Sequence, residues 1–342
     1  LEFRIRKRKR KMKNYLILIL ILSFGIISCD KKGSNQTNTA PAFSYATVEI
    51  PNFNADSAYA YVKAQCDFGP RTPESKAHKD CAEYIIDFMK ENCDTVYIQN
   101  FSSKLYNGKD VKGINIIASI NPQAKERILL GAHWDSRLWA DNDPDEKNHK
   151  TPILGANDGA SGVGVLMEMA RVIKGKPLND IGVDIVLFDL EDQGCPQWDE
   201  TDIQDQRDWA LGSQYWAKNT HIPFYQARYG ILLDMVGYTN PRFTKEAQSM
   251  HYASSIMNNI WNIARDRGYG NIFIDQRTGG IMDDHIWVNE YAKIPMINIV
   301  QNDPSSSFFP YWHTVKDDMS NISKNTLKIV GDVCLTSIYA TK

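Results

Sequence analysis

The chain has 342 residues, 43% of them apolar and 23% charged, an ordinary balance for a globular protein of one large α/β domain or two average ones. Its 39 basic and 41 acidic residues leave a formal charge of −2; eight bases against Glu2 make residues 1–28 +7, so the remainder carries about −9. A body of that sign has no electrostatic footprint for nucleic acid, which excludes that class of partner.

In chain order, Arg4, Arg6 to Lys11 and Lys13 precede a small or apolar run from Tyr15 to Ile27. That run is shorter than the roughly 20 residues of a membrane span, and its basic flank reads as a secretory signal. Ile26-Ile27-Ser28-Cys29 resembles a bacterial lipobox, which implies cleavage before Cys29 and a lipid on its sulfur. The expected location is the periplasm or cell surface, with the protein anchored to the membrane. Met12 is a sensible start, which makes Leu1 to Lys11 upstream translation. Residues 29–52 read as a flexible tether, polar from Asp30 to Pro41, and residues 53–342 as a single catalytic domain. The later cysteines, Cys66, Cys81, Cys93, Cys195 and Cys334, show no CxxC spacing; an odd set admits one bridge whose connectivity is not readable.

Helical spacing of apolar residues predicts helices over 55–66 and 75–93, then strands over 95–101, 113–120 and 127–132. A helix over 159–173 and strands over 183–190 and 230–235 follow. An amphipathic helix over 247–267, a buried strand over 294–300 and a closing helix over 325–339 complete the pattern. Continuous apolar strands separated by helices predict an α/β fold with a mostly parallel sheet covered on both faces.

In VLFDLEDQG, 186–194, three apolar residues run into Asp189, Glu191 and Asp192. Buried carboxylates are costly unless paired or metal-bound. Other ligand-type residues also fall at strand ends: His133, Asp135 and Ser136 after RILLGA, Asp158 before a glycine-rich helix start, Asp234 after GILL, and His313 after IPMINIV. In such sheets ligands gather beyond the carboxyl ends of the strands. Mixed His and carboxylate donors suit zinc, and successive side chains of extended backbone point opposite ways. One of Glu191 and Asp192 can therefore bind metal while the other faces substrate as general acid/base.

HWDS, ANDGASGVGVLMEMAR, LFDLEDQG, LLDMVG and YWHT, in this order, resemble the zinc exopeptidase superfamily from about Ala55 onward. The resemblance implies a three-layer α/β/α sandwich around a mixed, mostly parallel central sheet. LLDMVGYTNPRF, IMDDHIW, Trp198 and Trp312 further resemble the animal-type glutaminyl-peptide cyclotransferases. That likeness implies cyclisation of N-terminal glutamine of peptides or proteins to pyroglutamate, with one zinc held by Asp158, Asp192 and His313. It implies Glu191 as general acid/base, Asp234 and Asp283 as its supporting network, and Trp198, Trp312 and Asp284 against the substrate. His133 is then a supporting residue or a ligand of a second ion. Two positions depart from the family: Asp192 where Glu is frequent, and Asn298 where many members carry His.

The alternative reading is a di-zinc aminopeptidase, whose five ligand positions are also filled by His133, Asp158, Asp192, Asp234 and His313; a third is a metal-free peptide binder. Asp158 alone also reads as a helix N-cap. The acidic loop DNDPDEKN, 141–148, lacks the EF-hand glycine and final Glu; it reads as solvated rather than calcium-binding.

Overall fold

Six strands form the central sheet: β1 (Thr95–Lys104), β2 (Asp110–Ile120), β3 (Glu126–His133), β4 (Ile181–Phe188), β5 (Tyr229–Asp234) and β8 (Met296–Val300), in the order β1-β2-β4-β3-β5-β8. The β1–β2 and β2–β4 pairs are antiparallel; β4–β3, β3–β5 and β5–β8 are parallel. The computed structural model describes residues 49–178, 180–199, 205–305 and 308–341, all within one compact unit. The signal-like run, Cys29 and most of the expected tether lie outside the described residues. Among the described residues no helix is long and apolar enough to cross a membrane, and the five cysteines are free thiols.

The period-two alternation of each strand separates two cores. Ile116, Ile128, Leu130, Ile185, Leu187, Ile231 and Ile297 face one side, against α1 (Ala55–Asp67), α2 (Lys76–Asn92), α3 (Ala160–Gly175), α5 (Ala247–Asp266) and α7 (Lys324–Ala340). Ile117, Leu129, Val186, Phe188, Leu232 and Met296 face the other, against α4 (Leu211–Lys218) and the segment around α6 (Asp284–Trp287). The result is the three-layer sandwich. Asn54, Ser75 and Ser323 start α1, α2 and α7 by accepting backbone N–H bonds, the usual way to satisfy a helix's orphan donors.

Two strands escaped the sequence pattern. Strands β6 (Phe243–Glu246) and β7 (Phe273–Thr278) form a separate parallel pair. β6 is four residues long and runs straight into α5, so its alternation is too short to register. The charged Asp184 inside β4 is resolved by burial with a partner: Arg127 clamps it at 2.5 and 2.7 Å, and the Tyr225 hydroxyl donates to it at 2.7 Å.

Since β3, β4, β5 and β8 run parallel, their carboxyl ends share one edge, and His133 pairs in register with Phe188 while Asp234 pairs with Val300. Helix α3 lies close to that edge. A β-carbon on Gly162 would fall 2.2 Å from the Leu233 carbonyl oxygen and 3.0 Å from the Ala132 β-carbon. The small residues of ANDGASGVG therefore serve a close helix-on-strand approach rather than a nucleotide phosphate. Gly162→Ala should destabilise the fold by about 1–3 kcal/mol through overpacking, read as a lower urea midpoint at unchanged m-value.

Candidate active site

Three residues far apart in sequence meet beyond the sheet edge. Ligand atoms of Asp158, Asp192 and His313 all lie within 4.8 Å of one another, and His133, Asp158 and Asp234 form a second such set sharing Asp158. His313 Nε2 is 2.9 Å from Asp192 and 3.7 Å from Asp158; His133 Nε2 is 3.0 Å from Asp158 and 3.2 Å from Asp234. All five side chains are buried. Asp158 Oδ2 and Asp192 Oδ2 have no hydrogen-bond donor among the described residues. A buried carboxylate oxygen without a donor needs a cation. One imidazole and two carboxylates leave a tetrahedral ion one position for substrate, so the residues fit zinc.

Asp158 does not cap α3: Gly159 takes the N-cap position, with no side-chain bond, and frees the carboxylate for the site. Left-handed backbone recurs around the cluster. Leu190 (φ 57°) precedes Glu191, Met235 (φ 49°) follows Asp234, Gly159 (φ 91°) follows Asp158, and His313 itself has φ 57°. Non-glycine residues held there cost of order 1–3 kcal/mol each and persist only where neighbours enforce them.

The enforcing contacts are present. Asp317 accepts the N–H groups of Asn157 and Asp158 at 2.7 and 3.0 Å. Buried Arg71 ties down the preceding turn by donating to the carbonyls of Trp134, Leu154 and Gly155. Asp135 lies 3.5 Å from His133 Nδ1 and accepts the Glu191 N–H at 3.1 Å and Gln193 Nε2 at 2.9 Å. Burial works against its ionised form, yet the His133 and Gln193 bonds hold its carboxyl below the usual range. Asp189 turns away from the site: both its oxygens are 3.0 Å from His78 Nε2, and it accepts the Ile114 N–H at 2.7 Å.

The start of the 141–148 loop is built in rather than solvated, a correction to the sequence reading for Asp141 and Asp143, while Pro144 to Lys147 are exposed as expected. Asp141 and Asp143 are buried. Asp141 receives Arg137 Nε and Nη2 at 2.7 and 2.6 Å and sits 3.3 Å from His313 Nδ1. The Asn142 N–H donates to the His313 carbonyl at 3.0 Å, and Asp143 accepts the Val315 N–H at 3.1 Å. His313 is thus gripped on its ring and its carbonyl, and the chain is held again two residues further on, at Val315. Acids that alternate for calcium and acids that clasp a neighbouring loop look alike in sequence.

Glu191 lines a cavity of about 60 Å³ together with the three candidate ligands, Asp234, Asp283, Trp209 and Trp312. Burial drives its carboxyl well above the usual range; Asp283, Asp192 and Asp284 add to this and His133 opposes it. Burial likewise raises Asp234 to about 7. Asp283 caps α6 and accepts Asn298 Nδ2 at 2.5 Å, so the amide that replaces the family's frequent His still reaches into the network.

Two expected substrate contacts fall elsewhere. Trp198 is not part of the described lining; it packs against Trp139 and His149 at ring separations of 6.1 and 5.8 Å. Trp209 takes the wall position, stacked at 6.1 Å on His313 and at 4.7 Å under the Arg137 guanidinium. Gly194 makes room for it, since a β-carbon there would lie 2.0 Å from the indole. Asp284 is also outside the lining: it stands in the first turn of α6 rather than on a loop, its side chain fully buried. Trp209 and Arg137 went unassigned in the sequence because an aromatic-rich helix start and an arginine beside HWDS carry no motif of their own.

Residues 115–338 match peptidase family M28. The chain belongs to that family. Among solved structures it resembles the Bacteroides thetaiotaomicron glutaminyl cyclase bound to N-acetylhistamine, at 49% identity and TM-score 0.84 over 86% of this chain and 100% of that one. A Zn-dependent exopeptidase from Parabacteroides distasonis is 47% identical, with TM-score 0.83 over 86% and 100%. The glutaminyl-peptide cyclotransferase of Gloydius blomhoffii is 25% identical over 239 residues, which are 62% of this chain and 61% of that protein, so the chain spans about three fifths of its length. Within this M28 protein the clasp on His313 predicts that Asp143→Ala weakens zinc binding about 10–100-fold, measured by competition with a chromogenic chelator. Asp143→Asn, which keeps one acceptor, should fall between the two. Asp192→Ala should lose the ion outright.

Proposed function

We propose that this protein converts the N-terminal glutamine of peptides and proteins to pyroglutamate with release of ammonia. The observation that carries the reading is Glu191: a buried carboxyl whose affinity for a proton is raised by burial, beside the Asp158–Asp192–His313 set, in a cavity sized for one side chain and walled by Trp209 and Trp312. A zinc ion bound there supplies a Lewis acid for the side-chain amide oxygen. Glu191 takes a proton from the substrate's α-ammonium, freeing the amine to attack the side-chain amide carbon. The same carboxyl returns that proton to the departing nitrogen, which leaves as ammonia, and takes up the second proton that the attacking nitrogen sheds as the lactam forms. Asp283 bears on this step as a like charge that, together with burial, raises the affinity of Glu191 for a proton, and Asp234 lines the same cavity. The two indoles hold the glutamine folded back on itself and keep out the water that a hydrolase needs.

A second reading, a di-zinc aminopeptidase, rests on the His133–Asp158–Asp234 set. Among the five candidate ligands, however, the partnerless buried oxygens belong to Asp158 and Asp192, the pair that meets at His313, and this favours an ion at that set. We place the protein on a bacterial membrane, in the periplasm or at the cell surface, held by a lipid on Cys29; the reading rests on the lipobox-like Ile26-Ile27-Ser28-Cys29 alone. Purified protein should release ammonia from Gln-Ala and leave Leu-Ala intact; free leucine would establish the peptidase instead. Glu191→Gln should lower kcat at least about 100-fold while zinc stays bound. Normal turnover in that variant would remove the mechanism.

A further inference from the structure

The small cavity holds no more than one residue of a peptide, and Ile281 and Phe308 are shared between its wall and that of a second hollow. The second hollow is far larger, about 520 Å³, and polar: Gln276, Arg277, Thr278, Asn302 and Asp303 line it. A peptide with its first residue in the small cavity has a continuous path over Ile281 and Phe308 into this cleft.

Two features of the cleft suit an extended peptide. Its floor includes the end of β7, which pairs only with β6; no strand covers its other edge among the described residues. An open edge beside an active site is the arrangement by which a substrate strand adds to a sheet through main-chain hydrogen bonds. The second feature is charge. Arg277 is exposed and has no ion-pair partner among the described residues, whereas Asp303 is matched by Arg242 at 3.4 Å and Asp275 by Lys245 at 2.5 Å. The cleft therefore carries one uncompensated positive charge.

We infer that residues following the substrate's N-terminal glutamine run along the open edge of β7, and that Arg277 selects peptides with an acidic side chain at one of positions 2 to 4. The inference rests on the cyclase reading and adds a specificity site to it. One solvent-facing charge pair at contact distance is worth about a three- to fivefold preference, carried by KM and reduced at high salt because surface charges are screened.

The experiment compares kcat/KM for amidated pentapeptides with N-terminal glutamine and Glu, Ala or Lys at position 2, 3 or 4, at low ionic strength and in about 0.5 M salt, where the Debye length is roughly 4 Å. The expected result is a preference for Glu over Lys at one position, kept by Arg277→Lys, inverted by Arg277→Glu and flattened by salt. Ammonia release with equal kcat/KM at every position, or a preference that Arg277→Glu leaves unchanged, overturns the inference while sparing the cyclase reading. No ammonia from any glutamine peptide overturns both.

Discussion

Carboxylates buried together at the carboxyl edge of a parallel sheet repel one another, and the rest of the site answers that repulsion. Asp158, Asp192, Asp234, Asp283 and Glu191 share one small cavity, with His133, His313 and Arg137 as the nearby cationic or proton-donating groups that face them. Two of the carboxylate oxygens find no donor at all. In the proposed reading a cation answers the repulsion at Asp158 and Asp192, while burial and the neighbouring carboxylates, against His133, raise the affinity of Glu191 for a proton. Metal binding and acid/base competence thus follow from the same crowding.

Holding such a cluster together takes structure beyond the ligands themselves. Left-handed backbone at Leu190, Met235 and His313 aims side chains that ordinary strand ends would point elsewhere. The strain is borne by a ring of buried polar residues: Arg71 and Asp317 behind Asp158, Asp135 behind His133, Arg137 and Asp141 behind His313. Arg137 is central to this ring. It pairs with Asp141, donates to the Asp192 carbonyl at 2.9 Å and lies over the Trp209 indole, so one guanidinium links a ligand's partner, a ligand's backbone and a pocket wall.

The same scaffold supports hydrolysis and cyclisation alike, which is why an exopeptidase and a glutaminyl cyclase stand at nearly equal similarity to this chain. The reaction depends on what occupies the position facing Glu191, water or the substrate's own amine. The cavity of about 60 Å³ between two indoles favours the second. In the proposed reading the open cleft along β7 then selects among the peptides that reach it.

Continuous apolar runs in RILLGA, VLFDL, GILLDM and IPMINIV were enough to read the parallel core of the sheet, and the acids and imidazoles placed after those strands were enough to read a metal site, because parallel strands bring their carboxyl ends to one edge whatever the loops do. Five widely spaced residues were legible for that reason. Trp209 in place of Trp198, the burial of Asp284 and the inward turn of Asp141 and Asp143 were not legible. Each depends on how a loop without periodicity folds back across the sheet edge. Only packing of distant segments, Gly194 under an indole or Val315 against Asp143, decides which of several similar side chains reaches the cavity.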